Sequence, residues 1–206
     1  QHDCVVLLQD GGHDSIVTLA GAPPAPLRHA MPAHALEFEF LPTDFVQINA
    51  AINAGLIDLA LQHLALGPDS TLLDLFCGLG NFTLPAARRA AHVTGVEGEA
   101  GLVARARRNA GLNGIENVEF HVANLMGEDF VVAPWARVRY SHVLLDPPRA
   151  GAREVLPLVA SLAPRRIVYI SCHPGSLARD LGVLTQQHGY ELLAAGVIDM
   201  FPHTTH

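Results

Sequence analysis

Short apolar runs rich in β-branched residues and leucine alternate with helical patterns from residue 71 onward. The predicted strands cover residues 71–75, 92–96, 117–121, 141–145, 166–171 and 190–198. The predicted helices fill residues 81–90, 99–112, 152–162 and 176–188. Strands that are joined through helices enter a sheet in parallel, by right-handed crossovers. The alternation therefore predicts an α/β fold with a doubly wound, mostly parallel sheet.

The N-terminal part carries a different pattern. Val5–Leu8 and Ser15–Leu19 flank Asp10-Gly11-Gly12, which is a hairpin signal. A proline-rich stretch at 22–26 precedes Leu36–Phe40, whose strict alternation predicts a half-buried strand. The next apolar residues recur at helical spacing between residues 47 and 64, at Ile48, Ile52, Leu56, Leu59 and Leu64. We predict a small β element followed by the α/β body.

Composition limits the class of protein. The chain has 206 residues, of which 50% are hydrophobic and 16% charged, so we expect a substantial core and no long disorder. No run of about 18 apolar residues occurs. The three cysteines (Cys4, Cys77 and Cys172) form neither a disulfide framework nor a Cys-x-x-Cys pair, which favours a reducing, cytoplasmic location. The net charge of −7 argues mildly against a large nucleic-acid surface.

The loop after the first strand of the body is typical of a nucleoside site. Gly78 and Gly80 follow this strand, and a helix is predicted to begin near Asn81. Glycines allow a tight turn and a close approach of the backbone to a ligand. Glu97 ends the second strand, where ribose hydroxyls are held, and Asn124 follows the third, where it can meet an adenine edge. This series favours S-adenosylmethionine over another nucleotide, which stays the alternative.

Two further loops at the predicted strand ends indicate chemistry. Asp146-Pro147-Pro148-Arg149 follows the fourth strand, and two prolines stiffen it. Amino-group methyltransferases often carry an aromatic residue where Arg149 stands, so a stacked amine acceptor is disfavoured; a guanidinium suits a phosphate or an oxygen that gains negative charge. Cys172 ends the fifth strand. A thiolate that adds to C6 of uracil makes C5 nucleophilic enough to accept a methyl group, and Arg149 could support that thiolate.

Six motifs combine these features over nearly the whole chain from about residue 36. Together they resemble the uracil-C5 RNA methyltransferase family, and most closely its 23S ribosomal RNA branch. In chain order they are Phe45-Val46-Gln47-Ile48-Asn49, Leu73-Asp74-Leu75-Phe76-Cys77-Gly78, Leu145-Asp146-Pro147, Ser171-Cys172-His173-Pro174, Leu177-Ala178-Arg179-Asp180 and Asp199-Met200-Phe201-Pro202-His203-Thr204.

The resemblance implies a Rossmann-like class I methyltransferase that uses S-adenosylmethionine and acts on RNA, with the target base flipped into the crevice. It implies Cys172 as the nucleophile, and cofactor contacts from Gln47, Phe76, Asn81, Glu97, Asn124 and Asp146. The loop arguments above add Gly78 and Gly80 to the cofactor site and add Asp146 and Arg149 as catalytic candidates. We expect a monomer.

The resemblance also implies features that this sequence departs from. The family's catalytic base is a glutamate just beyond the Phe-Pro-His-Thr motif, and a final strand follows it; neither lies within these 206 residues. The four cysteines of the ribosomal branch's iron–sulfur cluster are also absent. We therefore expect residues 1–42 to be the remnant of a β-rich central domain and residues 43–206 to be the catalytic domain without its last strand, which would turn over poorly.

Three alternatives stay open. The same chemistry could act on transfer RNA, or the Asp-Pro-Pro loop could serve an amino-group methyltransferase that needs no cysteine. A non-catalytic module that binds RNA or cofactor is the third. His203 and His206 have no further ligand pattern, so we predict no metal site.

Overall fold

The structure, a computed structural model, describes residues 6–12, 15–127 and 129–202. Cys4, His203 and His206 therefore lie outside the described residues. In chain order the strands and α-helices are β1 (Leu7–Leu8), β2 (Val17–Thr18), β3 (Leu27–Met31), β4 (Leu36–Phe40), α1 (Ala50–Leu64), β5 (Thr71–Leu75), α2 (Thr83–Ala87), β6 (His92–Glu97), α3 (Ala100–Leu112), β7 (Val118–Val122), β8 (His142–Leu145), α4 (Leu156–Leu162), β9 (Arg166–Tyr169) and α5 (Pro174–His188).

The body is a five-stranded sheet in the order β7-β6-β5-β8-β9, and every neighbouring pair is parallel. The predicted doubly wound α/β fold is confirmed. After β5 the chain adds β6 and then β7 on one side of β5, and it then crosses back to add β8 and β9 on the other side. The direction in which strands are added therefore reverses between β5 and β8. In such sheets the reversal opens a crevice at the carboxyl ends of the strands, where ligands bind.

The two central strands are apolar on both sides because helices cover both faces. Leu72 of β5 and Leu144 of β8 pack into the cluster beneath α1, α2 and α3. Leu73 and Leu145 point the other way, into the cluster beneath α4 and α5. All four are fully buried. A continuous apolar run is what a parallel strand covered on both faces requires, which is why the sequence revealed these strands so clearly.

Helix α1 begins later than the sequence predicted. Asn49 caps it, since its Oδ1 accepts a hydrogen bond from the amide of Ile52 at 3.2 Å. Its buried face consists of Asn53, Ile57, Ala60, Leu61 and Leu64. Ile48 precedes the helix and is 75% exposed, and Leu59 is 39% exposed, so the predicted apolar stripe was wrong at these two positions. Apolar residues lie on two adjacent faces of this helix, and their spacing in the sequence does not show which of the two faces packs against the sheet.

The N-terminal β element contains two antiparallel hairpins. β1 pairs with β2 around the predicted glycine turn, and β4 is the predicted alternating strand. β3, its partner, was not predicted, because Arg28 and His29 interrupt any apolar pattern. Asn113 of α3 bonds both the amide and the carbonyl of Glu37, at 2.8 and 2.7 Å, so a side-chain amide stands in for a strand partner along this edge of β4.

The predicted strand at 190–198 was wrong. These residues run without secondary structure, and Leu193 and Val197 are 74% and 99% exposed. A strand exists only where its backbone groups find a ladder partner, and no described segment pairs with 190–198 or with the outer edge of β9. The helix predicted at 152–162 was also altered: a 3-10 turn at Arg153–Val155 precedes α4.

Two helices differ in their bounds. α2 spans only Thr83–Ala87 within the predicted 81–90, and α5 begins at Pro174, two residues before the predicted start. In the described parts of the chain, no helix has both the length and the hydrophobicity that crossing a bilayer requires.

We predict that Gly95→Ala destabilises the sheet. A Cβ at Gly95, in the middle of β6, would lie 2.7 Å from Phe120 Cδ1 and 3.0 Å from Cys77 Sγ. Overpacking of this kind costs about 1–3 kcal/mol in the free energy of unfolding. The matched control is Gly111→Ala in α3, where a Cβ meets nothing within 4 Å and should stabilise the helix by about 1 kcal/mol. Urea denaturation of both variants measures the difference; equal stabilities would contradict the packing argument.

Candidate functional site

The carboxyl ends of the five parallel strands carry the predicted site residues in one row. Reading along the sheet from β7 to β9, the row is Asn124, Glu97, the loop from Phe76 to Asn81, Asp146 and Cys172. Because the strands are parallel and in register, these residues lie on one rim. The structure thus brings together residues that are up to 96 positions apart in the sequence, counted from 76 to 172.

The glycine loop has a backbone that ordinary residues avoid. Phe76, Gly78 and Gly80 have φ of 66°, 55° and 97°. The left-handed conformation of Phe76 is held because its amide donates to Val96 O at 2.9 Å. A Cβ placed at Gly78 meets nothing within 4 Å, so the loop faces open space there. This is the geometry that lets a ligand approach the backbone closely.

Glu97 organises the rim beside this loop. One oxygen, Oε2, accepts from the amide of Gly78 at 3.1 Å. The other, Oε1, accepts from the amides of Gly98 at 2.7 Å and Glu99 at 3.1 Å. A carboxylate offers about four acceptor positions, so one is left for a ligand hydroxyl. The side chain predicted to hold a ribose is therefore fixed in place by the backbone around it.

Asn81 makes a reciprocal amide pair with Asn53 of α1. Asn53 Nδ2 donates to Asn81 Oδ1 at 2.9 Å, and Asn81 Nδ2 donates back at 3.0 Å. Asn53 is 4% exposed and joins the cofactor loop to α1. Sequence reasoning missed it, although an asparagine one helical turn before the buried Ile57 was a detectable signal. Asn124 Oδ1 accepts from the amide of Met126 at 3.1 Å, which orients the amide at the end of β7.

Two carboxyl groups in the crevice have strongly perturbed acidity. Asp74 is completely buried, and its Oδ2 accepts a hydrogen bond of 2.5 Å from the Thr83 hydroxyl. Its Oδ1 has no hydrogen-bond partner in the described structure. Burial, opposed by the Thr83 bond and assisted by the charges of Asp146 and Glu97, raises the pKa of Asp74 to about 7. Burial also raises the pKa of Asp146 to about 7.

Asp74 was not among the predicted site residues. The sequence could have indicated a special role for Asp74, because a carboxyl group within an otherwise apolar strand is rarely tolerated without a partner. With Asp146 and Glu97 it gives the crevice a concentration of negative charge. This charge would attract a cationic ligand such as a sulfonium or an ammonium group, which would not contact the buried Asp74 itself.

Cys172 lies in a rigid turn between β9 and α5, and it is exposed. Ser171 Oγ accepts from the amide of His173 at 3.1 Å, and His173 Nδ1 accepts from the amide of Ser176 at 3.1 Å, capping α5. Cys77, by contrast, is buried under the glycine loop, and burial raises its thiol pKa well above the ordinary value. Of these two thiols only Cys172 is accessible to a substrate. Arg149 is exposed at the end of the Asp-Pro-Pro loop.

The first and last motifs of the chain meet beside the crevice. Gln47 does not lie on α1 as predicted; it precedes the helix by three residues. Asn49 Nδ2 donates to the carbonyl of Met200 at 3.4 Å, which holds the C-terminal described residues near this segment. No three His, Cys, Asp or Glu side chains of the described ranges are close enough to hold a metal ion. The chain's three cysteines cannot supply a four-cysteine cluster.

Comparison with known proteins identifies the family. The family described as tRNA (Uracil-5-)-methyltransferase matches residues 30–206. The chain belongs to this family. It is 52% identical to the 23S rRNA (uracil(1939)-C(5))-methyltransferase RlmD of Alkalilimnicola ehrlichii, over 98% of this chain and 45% of that protein. It is 53% identical to the RlmD of Methylococcus capsulatus, with the same coverage. The chain therefore spans less than half the length of these relatives.

Solved structures agree with this family and fold. The tRNA (uracil-54, C5)-methyltransferase of Pyrococcus abyssi, in complex with S-adenosyl-L-homocysteine, superposes with a TM-score of 0.71 at 27% identity, over 87% of this chain and 42% of that one. TYW2 of M. jannaschii, in complex with AdoMet, gives a TM-score of 0.64 at 15% identity, over 92% and 82% of the two chains. The second likeness shows the fold alone. The fold is that of the Rossmann-like class I methyltransferases.

We predict that the free protein loses stability as the pH rises through the range set by Asp74. An unfolded aspartate titrates near pH 4, so between about pH 4 and 7 the folded state holds a proton that the unfolded state has lost. Stability should fall across that interval because the unfolded state is stabilised by releasing its proton while the buried carboxyl of the folded state keeps its own. Asp74→Asn removes this charge and should flatten the fall of Tm between pH 5 and 8. Asp69→Asn, at an exposed site, is the control; a slope unchanged by Asp74→Asn would refute the assignment.

Proposed function

We propose that this chain is the catalytic part of an S-adenosylmethionine-dependent RNA methyltransferase that methylates C5 of a uridine in 23S ribosomal RNA through a covalent adduct on Cys172. One observation carries the proposal: an exposed thiol lies on the same rim as a preformed nucleoside loop, with Asp146 between them. The 23S relatives at 52% and 53% identity favour ribosomal RNA over transfer RNA as the substrate.

Each part of the rim has a distinct task in this proposal. The thiolate of Cys172 adds to C6 of the flipped uracil, and the C5–C6 double bond becomes an enolate with charge on O4. S-adenosylmethionine supplies an electrophilic methyl group, which C5 takes. A base, which the family resemblance implies to be a glutamate, then takes the C5 proton, and the C6–S bond breaks to restore the double bond and the thiolate. Arg149 is placed on the exposed end of the loop, where a guanidinium can stabilise negative charge on the uracil or on a phosphate.

The residues present fit the cofactor. Glu97 would accept from the ribose hydroxyls, and the open space above Gly78 would admit the nucleoside. Phe76, Gly80 and Asn81 belong to the same loop, Asn124 follows β7 on the same rim, and Gln47 precedes α1; we assign the remaining cofactor contacts to these residues. Asp74 and Asp146 give the charge that attracts a sulfonium. These carboxyls would add no electrostatic attraction for a neutral nucleoside and would repel the phosphate of a nucleotide. This is the argument against another nucleotide as the cofactor.

We also propose residues 43–206 as the catalytic domain and residues 1–42 as a β-rich element docked against it. The docking surface supports this division, because Leu36 and Phe38 of β4 enter the same apolar cluster as Leu61 of α1. Asn109 and Asn113 of α3 bond the edge of β4.

A trapping experiment tests the chemistry. RNA containing 5-fluorouridine has no C5 proton to remove, so a competent thiol should remain bound to it in the presence of S-adenosylmethionine. We expect a stable adduct that peptide mass spectrometry assigns to Cys172 and not to the buried Cys77. Cys172→Ala should abolish the adduct, and RNA with ordinary uridine is the control for nonspecific crosslinking. Methyl transfer that survives Cys172→Ala would instead support the amino-group alternative.

Cofactor binding should also depend on pH. A cationic ligand binds the ionised carboxyls, so its affinity should rise as the pH passes through about 7, the pKa of Asp74 and Asp146. For one linked proton the rise is roughly tenfold between pH 6 and 8. Isothermal titration should show it for S-adenosylmethionine and less for S-adenosylhomocysteine, which lacks the sulfonium charge. Asp146→Asn should reduce the dependence of S-adenosylmethionine affinity on pH. An equal pH dependence for both ligands would contradict the proposal that these carboxyls attract the sulfonium charge.

A further inference from the structure

A buried carboxylate in α5 holds the two chemically active loops together. Asp180 is fully buried, and its Oδ2 accepts from the Tyr169 hydroxyl at 2.7 Å and from the amide of Ala152 at 2.8 Å. Its Oδ1 accepts from Arg179 Nε at 2.8 Å. Three different segments therefore converge on one side chain: the end of β9, the loop after β8, and α5 itself.

Arg179 adds a second connection to the same loop. Its Nη2 donates to the carbonyl of Ala150 at 2.8 Å and pairs with Asp180 Oδ1 at 2.7 Å. Gly151 lies between the two contacted backbone groups with a φ of 89°, and a Cβ there would stand 2.5 Å from both Arg179 Nη2 and Asp180 Oδ2. The loop can approach the pair this closely only because residue 151 is glycine.

The connected segments are those that carry the proposed chemistry. The loop leaves β8 at Asp146, whose amide donates to Leu75 O at 3.3 Å, and it ends at the Ala152 amide on Asp180. Arg149 lies between these two anchors. Cys172 lies between Tyr169, which donates to Asp180, and α5, which carries Asp180. One carboxylate thus fixes the separation between the acidic loop and the nucleophile.

We infer that Asp180 and Tyr169 are positioning residues that hold the Asp146–Arg149 loop at a set distance from the Cys172 turn, so that the thiol, the uracil ring and the cofactor meet in a reactive arrangement. This inference rests on the proposed function. Neither residue needs to touch the substrate. A misplacement of about 1 Å in a reacting group can lower a rate roughly 100-fold, so hydrogen bonds remote from the chemistry can control it.

The chemistry of the pair suits this task. Burial and the neighbouring Asp180 carboxylate raise the pKa of Tyr169, so its hydroxyl remains a hydrogen-bond donor throughout the working pH range. Replacing a buried ionic group by an apolar one often leaves stability unchanged, so a carboxylate retained here is better explained by the geometry it fixes than by the stability it adds.

The test compares Tyr169→Phe and Asp180→Asn with Tyr190→Phe in the full chain. Tyr190 is the matched control, since its hydroxyl donates to Pro164 O at 3.4 Å, away from the loop. The readouts are the rate of adduct formation with 5-fluorouridine RNA at saturating S-adenosylmethionine, the RNA concentration that gives half the maximal rate, and the Kd for S-adenosylhomocysteine. We expect the maximal rate to fall roughly tenfold or more in both test variants. The cofactor Kd should change less than about twofold, because the Asp146 amide has its own anchor on Leu75 O and the other proposed cofactor contacts lie outside the loop that Asp180 holds.

A double variant separates positioning from loss of structure. Because both residues share one hydrogen bond, the losses in Tyr169→Phe/Asp180→Asn should be smaller than the product of the two single losses. If Asp180→Asn fails to fold, Tyr169→Phe alone decides the question, since it keeps the ring and removes only the hydroxyl. Adduct rates in Tyr169→Phe equal to those of Tyr190→Phe, or a parallel loss of cofactor affinity, would overturn the inference. A wild-type chain that forms no adduct on Cys172 would overturn the proposed function, and this inference with it.

Discussion

Backbone pairing of β5 with β8 joins two strands whose flanking helices lie on opposite faces of the sheet. α1, α2 and α3 cover one face, and α4 and α5 cover the other. The chain leaving β5 therefore turns away from the chain leaving β8, and the gap between them becomes the crevice. Apart from Gln47, which precedes α1, the predicted site residues lie within six positions of the end of a strand in this sheet. The sheet fixes the positions of these residues relative to one another, so a loop as short as the Asp-Pro-Pro turn is enough to place its side chains at the crevice.

The crevice combines this geometry with an unfavourable charge arrangement in the free protein. Asp74 has an oxygen without a partner, and its neighbours Asp146 and Glu97 are also acidic. A fold selected only for stability would remove such a carboxyl or pair it with an arginine. The proposed sulfonium ligand would offset this charge, although the unpaired oxygen of Asp74 is buried and would not contact it. The net charge of −7 is therefore a poor guide to RNA binding, since part of it lies in the crevice proposed for the cofactor.

The sequence was most informative where burial leaves few choices. The inner strands β5, β6 and β8 could be predicted because a parallel strand covered on both faces is largely apolar, and the predicted row of residues follows the ends of these strands and of the edge strands β7 and β9. Asp180 and Asn53 were missed as functional residues because their importance comes from partners far away in sequence, Ala152 and Asn81. Asn53 could be noticed from its helical spacing to Ile57, and Asp180 stands in one of the quoted motifs, but no local pattern shows which distant residue either of them contacts.

The strand predicted at 190–198 failed for a related reason. Its apolar residues satisfied the local pattern, but a strand is a property of two segments, and no partner for this one lies among the described residues. β3 shows the converse. Its Arg28 and His29 spoil the apolar pattern, yet it pairs along its whole length with β4. Hydrogen-bonding partners outweighed side-chain patterning in both cases.

The site is held by two separate sets of contacts, one on each side of the strand reversal. On the cofactor side, Glu97 and the Asn53–Asn81 pair fix the glycine loop. On the other side, Asp180 fixes the loop of β8 and the turn that carries Cys172. The two sets share no residue, and Asp146, a proposed cofactor contact at the start of the loop that Asp180 holds, has a separate backbone anchor on Leu75 O. We therefore expect the proposed binding of the cofactor and the proposed placement of the thiol to be perturbed largely one at a time. A change in one set that altered both would mean that the sheet itself, and not the contacts at its edge, transmits position across the crevice.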